Sequence, residues 1–394
     1  MKKIKRINNL NPLTHQLMSQ GGKRLTIGGL AAVAAASFVM TVHATDLYTI
    51  TELSPLTTGG GYSQSYAINN NGQVAGWWQS SGSGTYQAVL WQDGSVAALG
   101  VNTGSAFKTY GINNPGQVVG GGGYSLETSS TSTAFLWQNG TVTTLGTLGG
   151  ASGATAINDN GQIVGFSYDS AGYRHAVLWQ NGNITNLDVG SGSFSEAYGI
   201  NKFGQVVGWS SSPYSNNDSI EPTMWQGGTA VALGTLPKYD SGQARAINNT
   251  GQIVGWVSGT NNVPSQAFLW QNGTMTALPA LSVGSATYAY GINDVGQVVG
   301  NSGYRAALWQ DGTVINLNNV IPTNSDWVLN NARGINDKGQ IVGGGTFDGR
   351  KEAFLMTPVP EHTTLALLTV AGAGLFLLKR RNCVAPTDNI SPYD

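Results

Sequence analysis

The sequence predicts an all-β protein, a seven-bladed β-propeller of four-stranded blades. One observation is a unit that recurs seven times at spacings of 43–47 residues, which is typical of propeller blades. A second is the alternation of short apolar runs with glycine and asparagine turns, in a chain of 394 residues with 56 glycines and only 10% charged side chains. The third is that the two ends of the array carry complementary parts of one unit.

Each unit contains two sequence anchors. The first reads small–Ile–Asn, two variable residues, then Gly–Gln–apolar–small–Gly, as in AINNTGQIVG from Ala246. The second ends in Trp-Gln before a glycine turn, and Met356 replaces its tryptophan in the seventh copy. The asparagines of the first anchor are Asn69, Asn113, Asn158, Asn201, Asn248, Asn293 and Asn336. The tryptophans of the second are Trp91, Trp137, Trp179, Trp225, Trp270 and Trp309.

Four strands follow from these anchors. Strand A ends at Ile-Asn, strand B is Gln-Val-Val-Gly, strand C is of the type Ala-Phe-Leu-Trp-Gln, and strand D follows the Asn-Gly turn. The links Asn-x-x-Gly and Gln-Asn-Gly favour short hairpins. Strands B and C are apolar on both faces, as expected for a sheet packed between two others. Strand A has only Ala or Gly before its isoleucine, which suits strands crowded around an axis.

The ends of the array distinguish a closed ring from an open β-solenoid. The stretch LYTITELSPL, from Leu47, looks like a strand D with no strand A, B or C before it. The seventh unit stops after strand C at EAFLMTP. We therefore expect the N-terminal strand to complete the last blade, since this latches a ring and an open array gains nothing from it.

The N-terminus predicts an export signal over residues 1–44. Six basic residues and no acidic one precede the uncharged run 25–42, and small or apolar residues at Val42 and Ala44 suit signal peptidase. Cleavage is expected after Ala44. The alternative is a retained membrane anchor, which the alanine-rich run is only marginally long enough to form.

The C-terminus predicts a membrane helix over residues 363–378. Three basic residues at 379–381 follow it, which predicts a cytoplasmic end and a body outside the membrane. The stretch VPEHTTLALLTVAGAGLFLLKRR resembles the PEP-CTERM sorting segment, and this resemblance implies processing by an exosortase near Pro360-Glu361. Two departures are His362 in place of the family's second proline and a tail at 382–394. The expected domains are therefore a propeller at 45–358, a sorting segment at 359–381 and a short cytoplasmic tail.

Strand C supplies a second resemblance. HAVLW at His175, TAFLW at Thr133 and QAFLW at Gln266 resemble the HAF-type extracellular repeat. The resemblance implies a secreted or surface protein and carries no catalytic residue, because the family motif is structural.

Charge and cysteine content exclude several function classes. Acidic residues outnumber basic ones in 45–358, so a nucleic-acid partner is not expected. The single cysteine, Cys383, lies beyond the membrane run. No cofactor or metal is predicted, because Asp159, Asp294 and Asp337 lie in separate repeats and calcium needs six or more converging oxygens. We interpret these aspartates as turn-stabilising residues.

Functional residues are expected on one face of the propeller. Loops A–B and C–D, on one face, are nearly constant, whereas the distance from the strand-B glycine to the second anchor varies from 9 to 17 residues on the other. Aromatic residues amid Ser, Asn and Gly suit polysaccharide binding, because sugar faces stack on rings. The predicted ligand-binding residues are Trp77, Trp78, Tyr124, Tyr168, Tyr173, Tyr214, Tyr239, Tyr304 and Trp327. The alternative is that these aromatics are structural loop residues, with tyrosines that cover the edges of the blades.

Three functional hypotheses remain open. The first is a non-enzymatic exported surface or matrix protein that binds polysaccharide or another envelope component. The second is a propeller glycosidase or polysaccharide lyase, for which the spacing of acidic residues selects no catalytic pair. The third is a passive structural spacer. His175, the only histidine of the body, is interpreted as structural.

Overall fold

The computed structural model describes residues 47–360 except 54, 57–60, 82–85, 101–106, 123–132, 189–193, 212–218 and 261. These residues form β-strands and one short 3-10 turn, Leu317–Asn319. Over the same ranges, no helix has the length and apolarity needed to cross a membrane. The predicted signal, membrane run and tail lie outside the described residues.

The strands form four-stranded antiparallel units, one from each repeat. The first is β2 (Gly61–Ile68), β3 (Val74–Ser80), β4 (Gln87–Gln92) and β5 (Ser95–Ala98). The second is β6 (Phe107–Ile112), β7 (Val118–Gly122), β8 (Phe135–Gln138) and β9 (Thr141–Thr144). The third is β10 (Gly149–Ile157), β11 (Ile163–Asp169), β12 (Arg174–Gln180) and β13 (Asn183–Asn186). A single bridge, Gly153 opposite Gly121, joins these last two into one eight-stranded sheet.

The remaining units follow the same order. The fourth is β14 (Ser195–Ile200), β15 (Val206–Ser211), β16 (Ile220–Gln226) and β17 (Thr229–Ala232). The fifth is β18 (Ser241–Ile247), β19 (Ile253–Ser258), β20 (Gln266–Gln271) and β21 (Thr274–Ala277). The sixth is β22 (Thr287–Ile292), β23 (Val298–Ser302), β24 (Arg305–Gln310) and β25 (Thr313–Asn316). The last is β26 (Trp327–Ile335), β27 (Ile341–Phe347), β28 (Arg350–Pro358) and β1 (Tyr48–Glu52).

The N-terminal strand completes the last sheet. Strand β1 pairs antiparallel with β28, with Tyr48 opposite Pro358 and Glu52 opposite Phe354. The sequence predicts this pairing for the two ends of the array. It brings the two ends of the described chain into one sheet.

The core lies between neighbouring sheets, as predicted from the apolar strands B and C. Ile253 packs in a cluster with Val207 of the preceding repeat, whereas the next residue, Val254, packs in a cluster with Val298 of the following one. Successive residues of a strand point to opposite faces, so strand B buries both of its faces. A similar cluster joins Val342 of the last repeat to Val74 of the first.

The strands A crowd together at the centre. A Cβ added at Gly291 would lie 3.0 Å from the carbonyl oxygen of Arg333, and one at Gly334 would lie 3.3 Å from the Cα of Ala67. The second contact spans the last and first repeats. This crowding explains why only Ala or Gly precedes the strand-A isoleucine.

A ring of hydrogen bonds joins the repeats at the A–B turns. The side-chain amide of each anchor asparagine donates to the backbone carbonyl of the anchor asparagine in the next repeat, at 2.9–3.2 Å. The seventh of these bonds returns from Asn336 to Asn69. We call this set the asparagine ring. Because the array closes on itself, the arrangement of the described residues is that of a β-propeller.

The glutamines that recur in each repeat extend this network outward. The amide of Asn248 donates to Gln252 at 2.7 Å, and Gln252 donates to Gln271, the last residue of strand C, at 3.3 Å. The Asn248 side-chain oxygen accepts from the backbone N–H of Gln252 at 2.9 Å. The Asn, Gly-Gln and Trp-Gln elements of the two anchors therefore hold one turn together.

Candidate ligand-binding site

Every strand A carries a β-bulge at the same place in the repeat. In the fifth repeat, Ala244 pairs with Gly255 and Ala246 pairs with Val254, so Arg245 has no partner opposite it. A bulge re-aims the side chain of the extra residue. The equivalent register shifts occur in the other repeats. The bulge residues are Tyr66, Tyr110, Thr155, Tyr198, Arg245, Tyr290 and Arg333.

The last glycine of the first anchor makes room for this bulge. A Cβ added at Gly255 would overlap the carbonyl oxygen of Gln243, and one at Gly300 would overlap that of Tyr288. The same overlap recurs for Gly76, Gly120, Gly165, Gly208 and Gly343. The glycine is therefore needed for close approach of two backbones, not for a turn conformation.

The bulge residues line a central cavity of about 600 Å³. Lys108 and Gln243, each two residues before a bulge, and Trp256, the residue after the strand-B glycine, complete the lining that the structure describes. We call this space the central cavity. Its lining residues precede the strand-A isoleucines in the sequence, so it lies on the side of the B–C and D–A loops relative to those isoleucines and the asparagine ring.

Cations and aromatic rings lie in contact inside the central cavity. The guanidinium carbon of Arg245 is 4.1 Å from the ring centre of Tyr198, and that of Arg333 is 4.2 Å from Tyr290. These distances are those of cation–π contacts. Lys108 Nζ lies 4.3 Å from the ring centre of Tyr86. Burial lowers the pKa of Lys108.

Three tyrosines of the cavity keep their hydroxyl protons. Burial raises the pKa of Tyr110, Tyr198 and Tyr290 above the ordinary value of a phenol. These hydroxyls are therefore uncharged at neutral pH and can both donate and accept hydrogen bonds.

One buried carboxylate fixes a tyrosine of the cavity. The Tyr198 hydroxyl donates to Glu196 at 3.0 Å and accepts from the indole N–H of Trp209 at 3.2 Å. Glu196 is fully buried and forms a 2.8 Å ion pair with Arg174. The charge of this carboxylate is thus matched by an arginine outside the lining of the central cavity.

The residues that line the central axis of the propeller change from one end to the other. Next along the axis, a space of about 260 Å³ is lined by the bulge residues together with the small residues and isoleucines that follow them in strand A. The asparagine ring surrounds a further space of about 190 Å³, which is also lined by Asp159, Asp294, Asp337 and Lys202. Cations therefore line one end of the axis, and carboxylates predominate at the other.

The aspartates of the asparagine end bond across repeats. Asp159 accepts from both the backbone N–H and the side-chain amide of Asn114, each at 2.8 Å, and Asp294 accepts in the same way from Asn249. Asp337 accepts from the backbone N–H of Asp294 at 2.9 Å. These aspartates stabilise backbone, as expected, but the backbone belongs to the preceding repeat.

The structure distributes the nine sequence-predicted aromatics among different environments. Trp77 is partly buried, and its ring centre is 5.5 Å from Lys108 Nζ, so it borders the lining of the central cavity. Trp78 and Trp327 are buried in the core, where they present no ring face to solvent. Tyr168 and Tyr239 are partly buried, and Tyr173 and Tyr304 are exposed. Tyr124 and Tyr214 lie outside the described residues.

The predicted processing residues fall at the edge of what the structure describes. Pro360 is the last described residue and is exposed. Ala44 and Glu361 lie outside the described ranges. Export and processing therefore stay predictions from the sequence.

Most residues of the central cavity are not among those predicted from the sequence. The signal was present, since a tyrosine, arginine or threonine stands two residues before every strand-A isoleucine. A tryptophan also follows the strand-B glycine in three repeats, at Trp77, Trp209 and Trp256. Lys108 carries no repeat signal of its own, and only the closed ring brings it to the axis.

His175 lies between two carboxylates. Its Nδ1 is 2.7 Å from Asp188 and its Nε2 is 3.1 Å from Asp169. Ser195 donates its hydroxyl proton to Asp188 and accepts from the backbone N–H of Ala176, so it is not hydrogen-bonded to the imidazole. This order differs from a nucleophile–histidine–acid arrangement, in which the serine contacts the histidine.

Part of the chain is similar to a protein family that has no assigned function. Residues 216–357 match the model of a family described as a protein of unknown function, DUF3466. A comparison with curated proteins finds no match.

Three solved structures illustrate the similarity in fold. TolB from Acinetobacter baumannii has 13% identity and a TM-score of 0.42, with 72% of this chain and 63% of TolB covered, so this chain spans less than two thirds of that protein. YCF48 bound to D1 peptide has 13% identity and a TM-score of 0.49, with 80% and 98% covered. A mutant Aleuria aurantia lectin in complex with alpha-methyl-L-fucoside has 11% identity and a TM-score of 0.37, with 78% and 91% covered.

Proposed function

We propose that this chain is an exported binding module, a seven-bladed propeller whose central cavity holds a polysaccharide segment or another envelope component. The observation that carries the proposal is the convergence of bulge residues from all seven repeats on one cavity of about 600 Å³. Binding sites of this kind combine ring faces with a few convergent polar groups. Tyr66, Tyr290 and Trp256 supply the rings, and Gln243 and Thr155 supply neutral hydrogen-bonding groups.

The lining residues favour ligand binding over catalysis. Glycoside hydrolysis relies on a pair of carboxylic acids at the scissile bond. The described lining consists of tyrosine, arginine, lysine, threonine, glutamine and tryptophan, and the nearby Glu196 is engaged with Arg174. A glycosidase or lyase remains the second hypothesis, and a passive spacer the third.

The location we propose is the cell envelope or the extracellular matrix. The support is in the sequence: a basic start with an apolar run up to Ala44, and a segment resembling PEP-CTERM around Pro360 and residues 363–378. The proposed partners are signal peptidase, exosortase and the membrane. The intact mass of the protein isolated from cells, together with its cell fraction, tests cleavage after Ala44 and near Pro360-Glu361.

Retention on immobilised extracellular polysaccharide tests the binding function. The full-length protein, purified in mild detergent, is compared with Tyr290→Ala, which removes a ring of the cavity. Loss of one stacking ring should weaken binding by about tenfold. Tyr304→Ala is the matched control, because Tyr304 is 92% exposed and does not line the cavity.

The three hypotheses give different results. Retention of the wild type and of Tyr304→Ala, with loss for Tyr290→Ala, supports the central cavity as the site. Release of new reducing ends or unsaturated products from the polysaccharide favours an enzyme. No retention on any of a broad panel of glycans contradicts the binding module and favours the spacer.

A further inference from the structure

We propose that the ligand of the central cavity is an acidic saccharide whose carboxylates are bound by Lys108, Arg245 and Arg333. This inference rests on the proposed binding function and specifies its ligand class. The cavity concentrates positive charge in an otherwise acidic body. Three of the ten Lys and Arg residues between 47 and 360 line it.

Among the residues that the structure describes, no carboxylate forms an ion pair with Lys108 or Arg333. Arg333 donates from Nε to the neutral amide oxygen of Asn331 at 3.3 Å and lies against the rings of Tyr290 and Tyr66. Aromatic faces attract a cation but leave its charge in place. A ligand carboxylate would supply the missing counter-charge.

The placement of the cations favours several separated charges over one compact anion. Lys108 belongs to the second repeat, Arg245 to the fifth and Arg333 to the seventh, so at least one repeat lies between any two of them around the ring. The bulge positions without a cation carry Tyr66, Tyr110, Thr155, Tyr198 and Tyr290. Alternating cations with rings and hydroxyls matches a chain of sugars that carries a carboxylate on successive units.

The charge distribution along the axis also favours an anion at this end. Asp159, Asp294 and Asp337 line the opposite end, and the isoleucines of strand A separate the two. A cleft lined by cations between low-dielectric walls focuses the field on a ligand. Arginine in particular matches the planar geometry of a carboxylate through paired N–H donors.

Binding of a matched pair of oligosaccharides tests the inference. The full-length protein in mild detergent is titrated with a galacturonate trimer, with the same trimer after reduction of its carboxyls to alcohols, and with inorganic phosphate. The acidic trimer should bind at least about tenfold more tightly than its neutral counterpart, since one charge-assisted hydrogen bond accounts for that factor. Its affinity should fall as salt is raised.

Charge-removing variants locate the effect. Arg333→Gln and Lys108→Gln should each weaken binding of the acidic trimer by about threefold to thirtyfold and leave the neutral trimer unchanged. Arg305→Gln is the matched control, because Arg305 is exposed on β24 and does not line the cavity. Thermal unfolding of each variant checks that the fold is retained.

Each other outcome overturns the inference. Equal affinity for both trimers overturns the charge requirement and leaves the binding function standing. Equal losses for Arg305→Gln and Arg333→Gln would assign the effect to overall charge. Phosphate that competes as well as the acidic trimer points to a compact anion instead. Binding of neither trimer, together with no retention on any glycan, overturns the inference and the proposed function together.

Discussion

Asn336 in the last repeat donates a hydrogen bond from its side-chain amide to the backbone carbonyl of Asn69 in the first, at 3.0 Å. An equivalent hydrogen bond links each of the six remaining pairs of neighbouring repeats. The junction between the two ends of the array is therefore built like an internal junction. Closure adds no special contact at this ring, and the strand pairing of β1 with β28 reinforces it from outside.

Replacing Asn336 with Asp should weaken this junction. The carboxylate keeps the acceptor for the backbone N–H of Gln340, at 2.9 Å, but loses the donor to Asn69. A carboxylate oxygen then faces the Asn69 carbonyl, which keeps only its hydrogen bond from the Gly72 N–H at 3.1 Å. We therefore expect the free energy of unfolding to fall by about 1–3 kcal/mol. Chemical denaturation measures this change.

Asn139→Asp is the control for that variant. Asn139 lies in an exposed hairpin with φ 48°, and Asp93 and Asp311 hold the same hairpin position with φ 50° and 51°. Its unfolding free energy should stay within about 0.5 kcal/mol of the wild type. Equal losses for the two variants would contradict the role given to the asparagine ring.

Gly255→Ala should disrupt the bulge at Arg245. The added methyl group would overlap the carbonyl oxygen of Gln243, which belongs to the lining of the central cavity. Overpacking of this kind costs about 1–3 kcal/mol of unfolding free energy. Gly146→Ala is the control, since its added Cβ would meet only Ile184 Cγ2 at 3.8 Å. A fully stable Gly255→Ala protein would show that the glycine is dispensable for the bulge.

Lys202→Asn should stabilise the protein. At the position after the anchor asparagine, six backbone N–H groups donate to the side chain of the equivalent residue in the next repeat. The seventh, from Asp159, faces Lys202, whose side chain has no acceptor. Asparagine should complete the set and add about 0.5–1.5 kcal/mol to the free energy of unfolding.

The control for that gain is Lys202→Ala. It removes the same charge and the same contact with the Phe203 ring, 5.0 Å from Nζ, without supplying an acceptor. If Ala stabilises the protein as much as Asn does, loss of the lysine rather than a new hydrogen bond is responsible.

His175→Gln should make stability less dependent on pH. Burial lowers the pKa of His175, but the hydrogen bonds to Asp188 and Asp169 raise it more, so the folded pKa lies above the ordinary value. The protonated imidazole then contributes stability that is fully present below its unfolded pKa and is lost as pH rises through the folded pKa. The destabilisation caused by the substitution should be larger at about pH 6 than at about pH 9. A destabilisation that is constant over this range would mean that only packing is lost.

The sequence was sufficient for the features that depend on local periodicity. The four strands of each repeat, their hairpins, the two-sided burial of strand B and the pairing of the ends all follow from residue patterns that repeat within one blade. Val254 and Gly251 can be placed in this way without knowledge of any partner.

The central cavity could not be derived so directly, because it depends on residues that face one another across the ring. The bulge adds one residue to strand A, so the two-residue alternation no longer tells which way Arg245 or Tyr290 points. The repeat pattern predicts that the asparagines are turn residues, but the partner of Asn248 is 45 positions away in another repeat. Trp78 lies near a variable loop in the sequence, yet its side chain is buried in the core. Proximity to a loop therefore does not by itself predict an exposed ring.

The two ends of the described chain lie close together, and their position determines from which face of the propeller the chain continues. Val359 donates from its backbone N–H to Leu47, at 2.9 Å, and Pro358 lies beside Gly339 in the last A–B turn. Both ends thus emerge together at the rim, on the side of the asparagine ring. A chain continuing from Pro360 would therefore leave the propeller at its rim, on the face opposite to the cationic cavity.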